Sequence, residues 1–392
     1  MISSLYVHIP FCKKKCDYCD FFSIGEKDRK GKSNDLSDSY IDALLKETDF
    51  YAKLYSVSCW KTIYVGGGTP SILSAPQILR LVSGIKKIAR TDESTEITFE
   101  MNPNDVTENF LKACSLAGIN RLSMGLQALD DKALSAVNRG SSVNIIMEAL
   151  ENLKNHWSGR LSVDFIAGLP KQSYSSFKNQ FEILKKYPKI DHVSLYTLTI
   201  EENTPLAKKI DEGIVKFSEE KADKMWMKGR SILEKMGFYQ YEVSNFAKKG
   251  FESRHNTVYW KQENYIGVGA GASGTIYDFK KKIGRRWTNT LSIPCYTKEF
   301  SRQTEDLDEK TLEFEFLMLG FRRLEGVSSL EYKKRFGSSL AQRLGADSVD
   351  GIFSQWKKNR LANEKLVEGD RIFSLNRRGI LLLNRFLEEF LV

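Results

Sequence analysis

No stretch of about 18 apolar residues occurs in this chain, so nothing in it reads as a membrane-spanning helix. The opening residues, Met1 to Pro10, lack the basic start and long apolar region of a secretory signal. The expected location is therefore the cytoplasm, with a peripheral station at the membrane surface admitted. Cysteine is scarce, six in 392 residues, which is too few for a disulfide framework and again favours a reducing compartment. Histidine is scarcer, with four, so any imidazole chemistry has few candidates. There is no solenoid period and no low-complexity tract, which excludes repeat architectures. Lys plus Arg exceed Asp plus Glu by nine. The basic runs, such as Lys13-Lys14-Lys15 and Lys280-Lys281-Lys282, are short and flanked by mixed charge, so they read as solvated faces and no nucleic-acid partner is expected.

What is present begins with a rhythm. β-branched and aromatic runs at 5–10, 61–65, 96–100, 121–125, 161–166 and 192–196 predict short strands. Helical patterns at 107–117, 130–138 and about 174–186 alternate with them. Such alternation predicts βαβ units and a parallel sheet, here an α/β fold of the partial (β/α)6 barrel type with a smaller C-terminal α+β domain. The boundaries expected are 1–236 for the barrel, 237–300 for an aromatic and Gly-rich connecting region, and 301–392 for the C-terminal domain. In that domain, helices are predicted at 309–324 and 328–345, followed by a hairpin strand at 369–375 leading into a helix over 376–391.

Function in such a barrel gathers where strands end. Cys12, Cys16 and Cys19 follow the first strand in a C-x3-C-x2-C spacing with no fourth cysteine close behind. Three thiolates can hold three irons of a 4Fe-4S cube, leaving the fourth iron open to a small molecule, which suggests S-adenosylmethionine. A zinc site lacking one ligand would use the same residue type. Gly66-Gly67-Gly68-Thr69-Pro70 follows the second strand and lets backbone approach a ligand closely. Glu100 closes the third strand, Gln127 lies just past the fourth and Asp164 falls within the fifth. A cofactor anchored there would undergo one-electron cleavage of a sulfonium carbon–sulfur bond.

Tyr6-Val7-His8-Ile9-Pro10-Phe11-Cys12, the cysteine spacing, Gly66 to Pro70, Glu100-Met101-Asn102-Pro103 and Asn138-Arg139-Gly140 together resemble the radical S-adenosylmethionine family of oxygen-independent coproporphyrinogen III oxidases. The resemblance spans nearly the whole chain. It implies a cluster on Cys12, Cys16 and Cys19, and S-adenosylmethionine held by Tyr6, Gly67, Gly68, Thr69, Glu100, Gln127, Arg139 and Asp164. Glu100 would accept from the methionine ammonium and Arg139 would pair with its carboxylate. Each has a plain alternative as an ion pair or a cap.

The chain departs from the oxidases at Phe21, where their pattern has a further cysteine. It also begins only a few residues before its first strand, without the N-terminal segment those enzymes are expected to use at their substrate site. Both features point to the sister group of heme chaperones, whose second mark, H-N-x-x-Y-W, reads here His255-Asn256-Thr257-Val258-Tyr259-Trp260. The resemblance makes His255 a candidate axial ligand for heme iron, with neighbouring aromatics covering the porphyrin. It also implies heme-accepting partner proteins, among them membrane-bound respiratory proteins, and admits a homodimer. Whether the scaffold acts as an enzyme in porphyrin biosynthesis stays open. Gly269-Ala270-Gly271-Ala272-Ser273-Gly274 satisfies G-x-G-x-x-G, but an extended segment follows it where a dinucleotide site needs a helix. Cys59, Cys114 and Cys295 have no ligand spacing.

Overall fold

The computed structural model describes residues 1–28 and 33–390. Six strands, β1 (Ile2–Ile9), β2 (Cys59–Gly67), β3 (Glu96–Met101), β4 (Arg121–Gln127), β5 (Arg160–Ala167) and β6 (Ile190–Thr197), lie side by side in chain order and parallel. Helices α1 (Ser33–Leu54), α2 (Ala75–Ile88), α3 (Glu108–Ala117), α4 (Val143–His156) and α5 (Glu219–Lys235) join the units or follow the last strand. Helix α2 shows why they form. Ser74 and Gln77 make a capping box, and Ile78, Leu81, Val82 and Ile85 recur at helical spacing as its buried face.

Strand periodicity decides what the barrel contains. Leu5, Val7, Ile63, Val65, Ile97, Phe99, Leu122, Met124, Val163 and Phe165 belong to the apolar core. The alternate residues are polar and bond to one another: Tyr64 with Glu100, Ser123 with Asp164, Ser162 with His192. Successive side chains point to opposite faces of a strand, so one face packs the apolar core and the other lines a polar interior.

The segment expected as a connector is part of the sheet. β7 (Asn245–Ala247) adds antiparallel to β6, while β8 (Tyr265–Val268) pairs parallel with β1 on the opposite flank. Then β9 (Ser273–Asp278), β10 (Ile283–Asn289) and β11 (Arg302–Leu307) extend that flank antiparallel, giving twelve strands with Tyr239–Gln240 at the far edge. The sheet thereby continues past residue 236. The glycine run at 269–274 is a turn between β8 and β9. A Cβ at Gly269, whose φ is +108°, would lie 2.6 Å from the His8 carbonyl. Between β7 and β8, α6 (Arg254–Trp260) packs on β2.

A second core joins Tyr277 to residues from Leu307 to Phe390. It comprises α7 (Glu309–Gly320), α8 (Ser329–Phe336), α9 (Leu340–Leu344), α10 (Ile352–Lys358), the hairpin β12 (Ala362–Val367) and β13 (Asp370–Leu375), and α11 (Leu383–Glu388). The helix expected over 328–345 breaks at Gly337, a left-handed cap. The last helix is shorter than expected because the Asn376 side chain accepts from the amides of Arg378 and Gly379 and holds a turn. Among the described residues, no helix is long and apolar enough to cross a membrane.

Candidate functional site

A cavity of about 350 Å³ opens at the carboxyl ends of the parallel strands, within the size range of small-molecule sites. The structure brings Cys12, Cys16, Cys19, Gly67, Gly68, Thr69, Glu100, Gln127, Arg139 and Asp164 to its wall. The cysteine loop is pinned at its neck, where Phe11–Cys12 pairs with Ile24–Gly25. The Gly68 amide donates to the Ile9 carbonyl at 2.8 Å. A Cβ on Gly68 would meet the Phe11 carbonyl at 2.8 Å and Cys12 Sγ at 3.0 Å, so glycine here is what lets the second loop lie against the first.

Two donors reach the sulfurs: Thr69 Oγ1 to Cys12 Sγ at 3.4 Å and Arg139 Nη1 to Cys16 Sγ at 3.6 Å. Such bonds favour thiolates and tune a cluster. Burial beside the other two cysteines pushes the Cys19 thiol up to about 11, a cost that coordination to a metal reverses. Among the described residues, no three His, Cys, Asp or Glu side chains are gathered around a single-ion position. A zinc site needs that convergence, whereas a cube presents three separate irons to its cysteines.

The carboxylates fit a cationic ligand. Glu100 Oε1 accepts from Tyr64 Oη at 2.6 Å and Oε2 from the Gly67 amide at 3.2 Å. Burial nevertheless lifts Glu100 to about 7, and burial raises Asp164 as well. Buried acids raised in this way are favoured as carboxylates by a further positive charge, which an ammonium or a sulfonium supplies. Arg139 donates to the Gly125 carbonyl at 2.6 Å, and its buried Nε has no partner, leaving a donor for a ligand carboxylate. Gln127 sits at a bulge in β4 with φ +68°. Its side chain lies across Gly125, where a Cβ would come within 2.7 Å of Nε2.

Two expected residues are placed elsewhere. Tyr6 does not line the cavity; its hydroxyl is 2.8 Å from His8 Nδ1, inside the barrel. His255 is 1% exposed. Its Nδ1 is 2.7 Å from Thr62 Oγ1 and its Nε2 is 2.8 Å from Tyr259 Oη. The ring stacks on Tyr64 with centroids 4.9 Å apart. Both ring nitrogens are engaged and the ring is enclosed, so His255 does not line the cavity. His8 and His192 also have both ring nitrogens engaged. His156 is a half-buried helix-end residue 4.0 Å from Glu108.

Sequence reasoning missed Tyr64, Ser123 and Tyr196. Counting by two along the strand from Gly66 or Gly125 would have placed Tyr64 and Ser123 inside the barrel, and Tyr196 stands two past Ser194, the β6 neighbour of Asp164. Phe21 stands on the cavity wall and is 68% exposed.

The profile described as the Radical SAM superfamily matches residues 6–184, and that of the HemN C-terminal domain matches residues 307–382. Among curated proteins, the heme chaperone HemW of Lactococcus lactis is 32% identical over 100% of this chain and 97% of its own. The heme chaperone HemW of Haemophilus influenzae is 32% identical over 99% and 97%. The mitochondrial radical S-adenosyl methionine domain-containing protein 1 of Danio rerio is 33% identical over 96% and 83%. The structure of Escherichia coli coproporphyrinogen III oxidase (HemN) superposes with a TM-score of 0.80, covering 99% of this chain and 89% of that one at 21% identity. That likeness is one of fold.

Proposed function

This chain belongs to the HemW family of radical SAM proteins, and from that premise we propose that it is a heme chaperone, binding heme and passing it to recipient proteins. The observation that carries this reading is the end-to-end likeness to curated heme chaperones, which includes both the barrel and the C-terminal unit. Phe21, where the related oxidases are expected to have a further cysteine, supports it against decarboxylation of coproporphyrinogen.

In this reading Cys12, Cys16 and Cys19 hold a 4Fe-4S cluster, Glu100 takes the ammonium of S-adenosylmethionine and Arg139 its carboxylate. Gly67, Gly68 and Thr69 bring backbone to the same group, and Gln127 and Asp164 reach the rest of the ligand. When bound, the cluster supplies one-electron reducing chemistry to the sulfonium. The chain's own residues bury the charged end of the ligand and shield two thiolates with hydrogen bonds from Thr69 and Arg139. The recipients we propose are heme proteins, including respiratory proteins at a membrane surface reached from the cytoplasm, with the chaperone acting as monomer or homodimer.

The test is anaerobic hemin titration of the cluster-loaded protein, followed by mixing with a heme-free acceptor such as apomyoglobin. Stoichiometric binding and transfer of the Soret band to the acceptor are expected. Turnover of coproporphyrinogen with no heme transfer would overturn the reading in favour of the oxidase.

A further inference from the structure

The H-N-x-x-Y-W helix gathers His255 and Tyr259 into one assembly with residues of the parallel strands. The amides of Arg254 and His255, at the start of α6, donate to the two carboxylate oxygens of buried Glu96 at 3.2 and 3.0 Å. Tyr259 Oη meets His255 Nε2, and its ring stands edge-on to both His255 and Tyr265. Trp260 lies under the Arg322 guanidinium at 5.7 Å. Glu96 is on β3, two strand repeats before Glu100, and Thr62 is on β2, one repeat before Tyr64. The motif thus plugs the interior from the amino ends of the strands, opposite the cavity.

A chain of contacts runs from the plug to the cavity. His255 is fixed by Thr62 on one side and Tyr259 on the other, and its ring face supports Tyr64. Tyr64 in turn donates to Glu100 Oε1 at 2.6 Å, while the Gly67 amide takes the other oxygen. We propose that His255 is a positioning residue for S-adenosylmethionine binding: by stacking on Tyr64 it aims the hydroxyl that orients Glu100 in the cofactor cavity. The proposal rests on the reading of Glu100 as the acceptor for the ligand's ammonium.

The experiment measures the dissociation constant of S-adenosylmethionine on cluster-reconstituted, full-length protein for Tyr64→Phe, His255→Ala and the double variant, with the hemin Soret titration run on each. Tyr64→Phe deletes a hydrogen bond to a charged acceptor and is expected to weaken binding about tenfold. His255→Ala is expected to weaken it by a similar factor, and the double variant no further, since residues acting through one contact are not additive. Heme binding stays unchanged throughout. Additive losses, or unaltered affinity in His255→Ala, would overturn the proposal, as would a lost Soret band with intact S-adenosylmethionine binding. Should His255→Ala fail to fold, Thr62→Val removes the Nδ1 partner and is expected to show the same coupling with Tyr64→Phe. Glu100→Gln separates the two levels. If it binds S-adenosylmethionine normally, the reading of Glu100 fails and takes the proposal with it; if it binds weakly while the His255 and Thr62 variants bind normally, only the proposal fails.

Discussion

Glu100 accepts from two donors and feels the Arg121 guanidinium, yet burial leaves it at about 7. An arriving ammonium would draw it back to the carboxylate, so Glu100→Gln is expected to weaken S-adenosylmethionine binding about 10–100-fold, the span of one hydrogen bond between charged groups. Equilibrium dialysis checks this, and an affinity within about twofold of the parent's would remove Glu100 from the binding set. His255 makes a different prediction. Burial lowers it to about 3, whereas the unfolded chain protonates it near 6.5. The unfolded state takes up that proton first, so stability falls as the pH drops from about 6.5 toward 3. In His255→Gln the gap between thermal midpoints at pH 7 and pH 5 should narrow. An unchanged gap would assign the acid sensitivity to His8 and His192, which burial also lowers. Sequence proximity does not convey the positions of Tyr6 and His255, for a common reason. Each stands in a motif with functional neighbours, and only the strand parity of Tyr6 and the hydrogen-bond partners of His255, set by packing, show where the side chain goes.

At the scale of elements, the βα rhythm up to residue 237 was legible because each strand is a run of β-branched and aromatic residues that stops at a polar or glycine-rich turn. Apart from the extended segment after the 269–274 glycine run, residues 245–307 were not legible as sheet. Their strands are three to seven residues long, and their register comes from partners far away in sequence, such as Leu5 beside Ile266 and Phe246 beside Val193. The site was legible to the extent that its residues end strands. What no periodicity conveys is how tightly the Gly66–Gly68 loop lies on the cysteine loop. Gly68→Ala would drive a Cβ against the Phe11 carbonyl and Cys12 Sγ. It is expected to reduce iron below four per chain after anaerobic reconstitution, by iron and sulfide assay. A full complement would mean that the two loops can separate without losing the cluster.

Over the whole molecule there are two apolar cores, and only the first adjoins the cavity. Phe386 is fully buried in the second, edge-on to Phe321, Trp356 and Phe390. Phe386→Ala should cost about 3–5 kcal/mol, seen as a lowered thermal transition, with S-adenosylmethionine affinity unchanged. A parallel fall in affinity would show that the C-terminal unit supports the cavity. The strand order has its own consequence, one of timing. β1 carries the cysteine loop, yet one of its two neighbours is β8, which lies about 260 residues later in the chain. At typical synthesis rates of about 5–20 residues per second, the amino-terminal strand waits roughly 13–50 s with an open edge. A nascent chain therefore exposes its cysteine loop on a half-built sheet for most of its time on the ribosome, and a cluster proposed for that loop would have its proper moment of assembly only after β8 has emerged.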